Sequence, residues 1–490
     1  MHSAPVHLVW FRHDLRVTDN KALFYACQNT QAQVHAIFTV TPAQWKAHHM
    51  ALSQQAFIHD ALLNLSHSLA KLNIPLTLII SDTYADAAQS VVDYCQQHQV
   101  TALFFNHQYA LNEQNRDKKV MKLLTHNTTV YCYHDNVFVP PGNVVTQQGE
   151  MYKVFTPFRT AFLRLFLSQD NASLPAPEIR AHQKAVSPLS APLFALPISS
   201  TKMFPASEQA ALQRLKQFCY ERVIHYAKWR DIPAIDGTSQ LSPYLAIGLV
   251  SVRQCFNRLY QTEPDFLENN HASAFVWFNE LVWREFYQHL MVANPSLSKQ
   301  IAFQRWTENI RWRNNQTEFT AWTQGLTGFP IIDAAMRQLN QTGWMHNRLR
   351  MLTASFLVKD LLIDWRWGEN YFMSQLIDGD FASNNGGWQW AASTGTDAVP
   401  YFRIFNPTTQ GRKFDPDGEF IRHWLPELAD VPDRYIHTPS EWAIKSGHYL
   451  DYPQPIVDHA KARVTAIASY EEAKKGKIAR YYLSTLGGLL

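Results

Sequence analysis

The sequence predicts two domains: an α/β domain built on a five-stranded, mostly parallel sheet, followed by a large all-helical domain. Three observations lead there. Short apolar runs recur through the first 135 residues and then stop. Beyond residue 206 the apolar positions fall three and four apart, the spacing of one helix face. Tryptophan is unequally divided: of 15, only Trp10 and Trp45 precede residue 200.

The α/β domain covers residues 1–135. Its expected strands are "VHLVWF" (6–11), "QVHAIFTV" (33–40), "LTLII" (76–80), "ALFFNH" (102–107) and "TVYCYH" (129–134). Longer amphipathic stretches such as "SQQAFIHDALLNLSHSLAKL" (53–72) separate them. Strand and helix in alternation imply right-handed crossovers, a parallel sheet and a Rossmann-like build. No GxGxxG follows the first strand; "FRHDLRVTDN" does, which gives no licence for a nicotinamide cofactor. Residues 136–206 are expected as an interdomain linker, dense in Pro and Ser over 171–206 and laid along the surface. Residues 207–477 form the helical domain, with long periodic stretches in "ASAFVWFNELVWREFYQHLMVAN" and "TGWMHNRLRMLTASFLVKDLLIDWRW". A short tail, 478–490, has no assigned role.

At 490 residues the chain exceeds what one core usually holds. Apolar residues at 46 % and charged ones at 17 % describe a well-filled globular protein, not a disordered one. The formal charge, 44 − 41 = +3, neither demands nor excludes a polyanionic partner, so any such site must be locally basic. Five scattered cysteines, in no metal-ligand spacing, read as free thiols in a reducing compartment. The N-terminus lacks the order of a signal peptide and no apolar run reaches membrane-span length, so a cytoplasmic protein is expected.

P-loop, HExxH, GxSxG and paired CxxC signatures are missing, and the histidines form no zinc constellation. No metal is expected; borrowed organic-cofactor chemistry is the better fit. The stretch "DGDFASNNGGWQWAASTGTD" (378–397) gathers Asp378, Asp380, Asn384, Asn385, Gly386, Gly387, Trp388 and Trp390. Its amides and carboxylates suit a heteroaromatic edge, but the same residues also suit a turn joining two helices. "GWMHNRLRM" puts Asn347, Arg350 and Met351 on one helix face, and Arg350 needs a carboxylate, for which Asp378 is a candidate. "NELVWREF" sets Glu280, Trp283 and Arg284 on one face. Thr238, Ser239 and Ser242 of "GTSQLS" offer hydroxyls at a helix start, suited to a diphosphate or to capping.

"VWFRHDLRVTDN", "EMYKVFTPF", "GTSQLS", "NELVWREFY", "TGWMHNRLRM" and the 378–407 segment together resemble the photolyase/cryptochrome family. They are most similar to bacterial class I cyclobutane pyrimidine dimer photolyases of the folate-antenna type. The resemblance implies FAD held by Tyr226, Thr238, Ser239, Leu241, Ser242, Trp277, Arg284, Asn347, Arg350, Asp378, Asp380 and Asn384, with Asn384 facing flavin N5. It implies an electron-hopping chain of Trp312, Trp365 and Trp388. Glu280, Trp283, Asn347, Met351 and Trp390 would receive a flipped-out dimer. Arg230, Arg348, Arg403 and Gln410 would face the phosphates of single- or double-stranded DNA. Asn112, Glu113 and Lys299 would hold a 5,10-methenyltetrahydrofolate antenna, with a deazaflavin as the alternative. A monomer that repairs DNA by light-driven electron transfer is the implied protein. The intact dimer set and the short tail argue against a signalling cryptochrome, and Asn347 with Met351 argues against (6-4) repair. Two positions depart from the pattern: Gln240, where relatives commonly carry Arg, and Trp367, where a polar residue is frequent.

Overall fold

The computed structural model describes residues 4–124, 127–194 and 203–486; residues 195–202 of the expected linker and 487–490 of the tail lie outside them. The chain divides into two compact units. One comprises Met1–Ala227, Thr238–Pro295 and Ile377–Ala382, the other Lys228–Gly237, Ser296–Leu376 and Ser383–Leu490.

The first unit carries a five-stranded sheet of order β3-β2-β1-β4-β5, from β1 (Val6–Phe11), β2 (Gln33–Val40), β3 (Leu76–Ile80), β4 (Val100–Asn106) and β5 (Thr129–Tyr133). Every pairing is parallel, with Trp10 level with Ile37 on one side and Phe105 on the other. The central strands are apolar on both faces because helices cover both. Leu8, Trp10, Ile37, Leu103 and Phe105 share a core with Val91, Val92 and Cys95 of the helix Tyr84–Gln97. Strand order reverses between β1 and β4, so the carboxyl ends of these two strands mark the crevice where α/β sheets take ligands. There Arg12 lies over both Trp10 and Phe105, 4.5 Å from each ring centre, and Asn106 Nδ2 donates to Asp14 Oδ2 at 2.7 Å.

A buried ionic network ties the β1 loop to the helix Val252–Thr262. Arg253 donates to Asp135 Oδ1 at 2.7 Å and to Asp19 Oδ1 at 3.1 Å, and Arg16 pairs with Asp135. Each charge here has a partner, without which its burial would cost several kcal/mol. Of the proline-rich segment, residues 171–194 run without regular structure, and Arg180 pins them by donating to the carbonyls of Cys27, Asn29 and Ala32.

The second unit is helical. Its core gathers Trp322, Ile332, Met336, Leu349, Leu357, Trp365, Phe372, Trp388 and Ile421. The stretch 342–367 is not one helix, contrary to its periodicity. Gly343, at φ 71°, ends the helix Pro330–Thr342, and the next, Asn347–Ser355, starts only after the His346 ring caps it by accepting from Arg348 N. A π-helical turn, Phe356–Asp360, follows, and Asp364 caps the helix Trp365–Gln375. The π-turn points Lys359 inward, where Nζ reaches Ser393 Oγ at 2.8 Å and lies 3.8 Å from the Tyr470 ring centre. Burial holds this amine well below the usual lysine range. Among the described residues no helix is long and apolar enough to cross a membrane.

Candidate cofactor and substrate site

In the first unit the helix Ser273–Ala293 organises the expected site residues. Trp277, Glu280 and Arg284 recur three and four apart and share a face, with Trp283 beside them. Trp283 lies flat on Phe155, rings 3.5 Å apart and 6° from parallel. Trp277 packs against Phe218, which meets Tyr226 edge-on. The opposite face fixes the helix to the segment 136–139. Glu285 accepts from the amides of Phe138 at 2.9 Å and Val139 at 3.4 Å, and burial pushes its carboxyl up to about 8. His289 Nε2 lies 2.9 Å from Val139 O, and burial pushes its ring down to about 4. Arg284 in turn donates to Asn136 O at 2.5 Å, so its guanidinium has a fixed direction.

The hydroxyl segment behaves as its sequence suggests and adds something the sequence hid. Ser242 begins the helix Ser242–Ala246, with Thr238 and Ser239 half-buried before it. Gln240 sits in left-handed backbone at φ 48°, and its Oε1 accepts from Arg214 Nη1 at 2.8 Å. Arg214, 26 residues upstream, thus brings a guanidinium to position 240. Nothing local in the sequence signals that contact. Asp378 is buried, and Asp380 accepts from Gln288 Nε2 at 3.2 Å. A pocket of about 90 Å³ is lined by Arg284, Gln288, Asp380, Asn136, His13 and Glu113, among others. It joins residues expected for FAD with one expected for the antenna.

In the second unit the stretch that offered either a turn or a ligand site is a helix, Phe381–Ala391. Its poor helix formers are tolerated because their side chains are paired. Asn385 Nδ2 donates to Glu369 Oε1 at 2.7 Å, Gln389 Nε2 to Asn385 Oδ1 at 3.0 Å, and Gln300 Nε2 to Glu369 Oε2 at 3.1 Å. Burial pushes the Glu369 carboxyl up to about 7. Asn384 Nδ2 donates to Glu369 O at 3.0 Å. A Cβ on Gly387 would meet nothing within 4 Å, so this glycine serves no close approach within the chain.

Trp388 and Trp365 are buried in the helical core and Trp312 packs against its edge, a series running from interior to partial exposure. Trp388 meets Phe372 edge-on at 4.9 Å and Trp322 at 6.1 Å. Gly368 lies under it so closely that a Cβ would come within 2.0 Å of the indole. Asn347 begins its helix on the surface, while Arg350 and Met351 are half-buried one turn on. Arg350 Nε donates to Met345 O at 2.8 Å. Trp390 is half-buried, and Trp367 meets Phe319 edge-on.

At the expected antenna residues, Asn112 and Glu113 open the helix Leu111–Leu123. Glu113 Oε1 accepts from Tyr84 OH at 3.0 Å, whereas Oε2 is buried with no hydrogen-bond partner. His48 Nε2 lies 2.9 Å from Asn112 Nδ2, a third member of the group that its sequence position did not reveal. Lys299 is exposed in the second unit. Of the expected DNA-facing residues, Arg403 is exposed, and Gln410, Arg230 and Arg348 are half-exposed.

One unit thus carries a parallel α/β sheet, and the other is helical and buries Trp365 and Trp388 in its core. Residues 7–178 match the DNA photolyase family, and residues 277–472 match the FAD binding domain of DNA photolyase. Deoxyribodipyrimidine photo-lyase from Salmonella typhimurium is 53 % identical over 476 residues, covering 96 % of this chain and 100 % of that protein. The Escherichia coli protein of the same name is 52 % identical over 473 residues, covering 96 % and 99 %. The crystal structure of a bacterial class III photolyase from Agrobacterium tumefaciens aligns with a TM-score of 0.85 at 36 % identity, covering 97 % and 98 %. The chain belongs to the DNA photolyase family.

Proposed function

We propose that this chain repairs cyclobutane pyrimidine dimers in DNA as a light-driven lyase with FAD. The observation that carries the reading is end-to-end correspondence, at about half identity, with proteins named for that reaction. The residues fit the cofactor. A serine hydroxyl at a helix start and the Arg214 guanidinium held by neighbouring Gln240 suit a diphosphate. The Asn384 amide, tethered through its NH₂, offers an acceptor oxygen suited to a ring N–H. When bound and reduced, FAD would supply the light-driven, redox-neutral one-electron chemistry that opens the dimer.

The protein's own residues do the rest. Thr238, Ser239, Leu241, Ser242 and Tyr226 hold the phosphate side. Trp277, Arg284, Asn347, Arg350, Asp378, Asp380 and Asn384 orient the remainder. Trp283 and Trp390 wall the flipped-out dimer, Met351 lines the floor, and Asn347 and Glu280 bind the pyrimidine edges. Glu280 also stabilises charge as the ring opens. Trp388, Trp365 and Trp312 carry electrons inward from the surface. Arg230, Arg348, Arg403 and Gln410 face DNA phosphates, in single- or double-stranded substrates.

Asn112 and Glu113, with Lys299, hold the antenna. The unsatisfied Glu113 Oε2 is an acceptor suited to a ring N–H, such as the edge of the pterin in methenyltetrahydrofolate, and a deazaflavin remains the alternative. The protein acts as a cytoplasmic monomer. The test is illumination of the purified, reduced protein with thymine-dimer DNA against a dark control. Light-dependent recovery of thymines is expected; bound flavin without recovery would replace repair by photoreception.

A further inference from the structure

Two of the arginines expected to meet phosphate are held by an acid of the same unit. Arg348 engages Asp231 through both ends of its fork, Nη2 to Oδ2 at 2.8 Å and Nε to Oδ1 at 3.2 Å. Arg230 Nε lies 3.9 Å from the same Oδ1. The Arg348 guanidinium also lies over Phe414, 4.6 Å from the ring centre, and Lys413 covers that ring at 5.0 Å. Three cations therefore collect around one aromatic ring and one carboxylate. Asp231 does not drift into this position. Ile232 N donates to Trp229 O at 3.0 Å and Gly237 N to Ile235 O at 2.8 Å, which folds the segment 229–237 back on itself. A Cβ on Gly237 would lie 2.6 Å from Trp229 Cβ, so the fold-back requires glycine there.

We propose that Asp231 is an internal stand-in for a DNA phosphate, occupying Arg348 in the free protein and giving it up when DNA docks. A two-point grip of guanidinium on carboxylate is the geometry the same guanidinium offers a phosphate. Docking on any DNA must therefore exchange one anion for another and leave the displaced carboxylate beside the phosphate backbone. The cost is the same for undamaged and damaged DNA. It keeps the sequence-independent grip weak, so that contacts to a flipped-out dimer decide where the protein stays. This inference rests on the reading that Arg348 faces DNA.

The experiment measures dissociation constants in the dark by fluorescence anisotropy, on the FAD-loaded protein, with undamaged and dimer-containing duplexes over a series of salt concentrations. Wild type is compared with Asp231→Asn, Asp231→Glu and Arg348→Ala. Asp231→Asn should bind both duplexes tighter by a similar factor, about 2 to 5 at low salt, the reach of one partly exposed ion pair. Its log K against log salt should steepen by about 1, because one more cation is free to displace counterions. Asp231→Glu, which keeps the charge, should stay near wild type. Unchanged binding by Asp231→Asn while Arg348→Ala binds more weakly would overturn the exchange alone. Weaker binding of the dimer duplex only would make Asp231 a prop for lesion recognition and overturn it too. If Arg348→Ala bound like wild type at every salt concentration, the assignment of this face to DNA would itself fail.

Discussion

Gly368→Ala isolates the packing around Trp388. The added Cβ would fall 2.0 Å from Cη2 and 2.4 Å from Cζ3 of Trp388, and 2.7 Å from Leu357 Cδ2. Carbon atoms in contact sit about 3.5 Å apart, so the ring edge must retreat by about 1.5 Å. The ring has nowhere easy to go, because Phe372 and Trp322 meet it edge-on from other sides. Overpacking of this kind costs ~1–3 kcal/mol, against a gain of at most ~1 kcal/mol for replacing glycine within a helix. The expected net effect is a loss of about 1 kcal/mol and a thermal midpoint lower by a few degrees. Because the displaced ring is the one nearest FAD in the proposed electron route, photoreduction of oxidised flavin under fixed light should slow, while dark DNA affinity stays unchanged. Thermal unfolding and the decay of flavin absorbance read the two effects on one sample. A stabilised variant with wild-type photoreduction would refute the reasoning, since it would mean that the helix moves and the indole does not.

Trp388→Phe should block photoreduction of oxidised FAD yet spare repair by chemically reduced protein; joint loss of both would make Trp388 structural. Arg214→Ala should weaken FAD binding about tenfold, as one charge-assisted contact is lost, measured from the fluorescence of released flavin; unchanged affinity would mean that Gln240 needs no substitute charge. Glu369 has a folded value of about 7 against an ordinary value of 4.5, so the folded state holds the extra proton between those values. Its contribution is therefore fully present in acid and is lost as pH rises through about 7, by up to ~3 kcal/mol. Glu369→Gln should flatten the fall in unfolding free energy from pH 5.5 to 8.5 in denaturant titrations, and parallel wild-type and variant curves would exclude the carboxyl as the cause.

Local pattern was enough to place the strands. β1, β2 and β3 fall on the expected residues, and β4 and β5 differ by one or two at their ends. The strand order was not legible, because parallel neighbours are set by crossovers and not by the strands themselves. The helical half was legible in type and not in its breaks: the continuous periodicity of 342–367 conceals a left-handed Gly343 and a π-turn, both compatible with the same apolar spacing. The segment 381–391 failed as a turn because propensity lost to pairing. Asn385 and Gln389 find buried partners only when Glu369, from a separate helix, is alongside. Arg214 and His48 escaped notice for the same reason, since each joins its group across a long separation in sequence.

The order in which the chain is made has a consequence for the first unit, whose last piece is Ile377–Ala382. Gln54 is almost fully buried, and its amide donates to Gly379 O at 2.8 Å across 325 residues. At a synthesis rate of about 5 to 20 residues per second, roughly 15 to 65 s separate the two on the ribosome. For that time the sheet can form while its partner segment does not yet exist. Premature termination anywhere before residue 382 leaves this unit incomplete, whatever the length of helical chain already attached. The first unit is interrupted twice by chain belonging to the second, so no single cut in the sequence separates the two units.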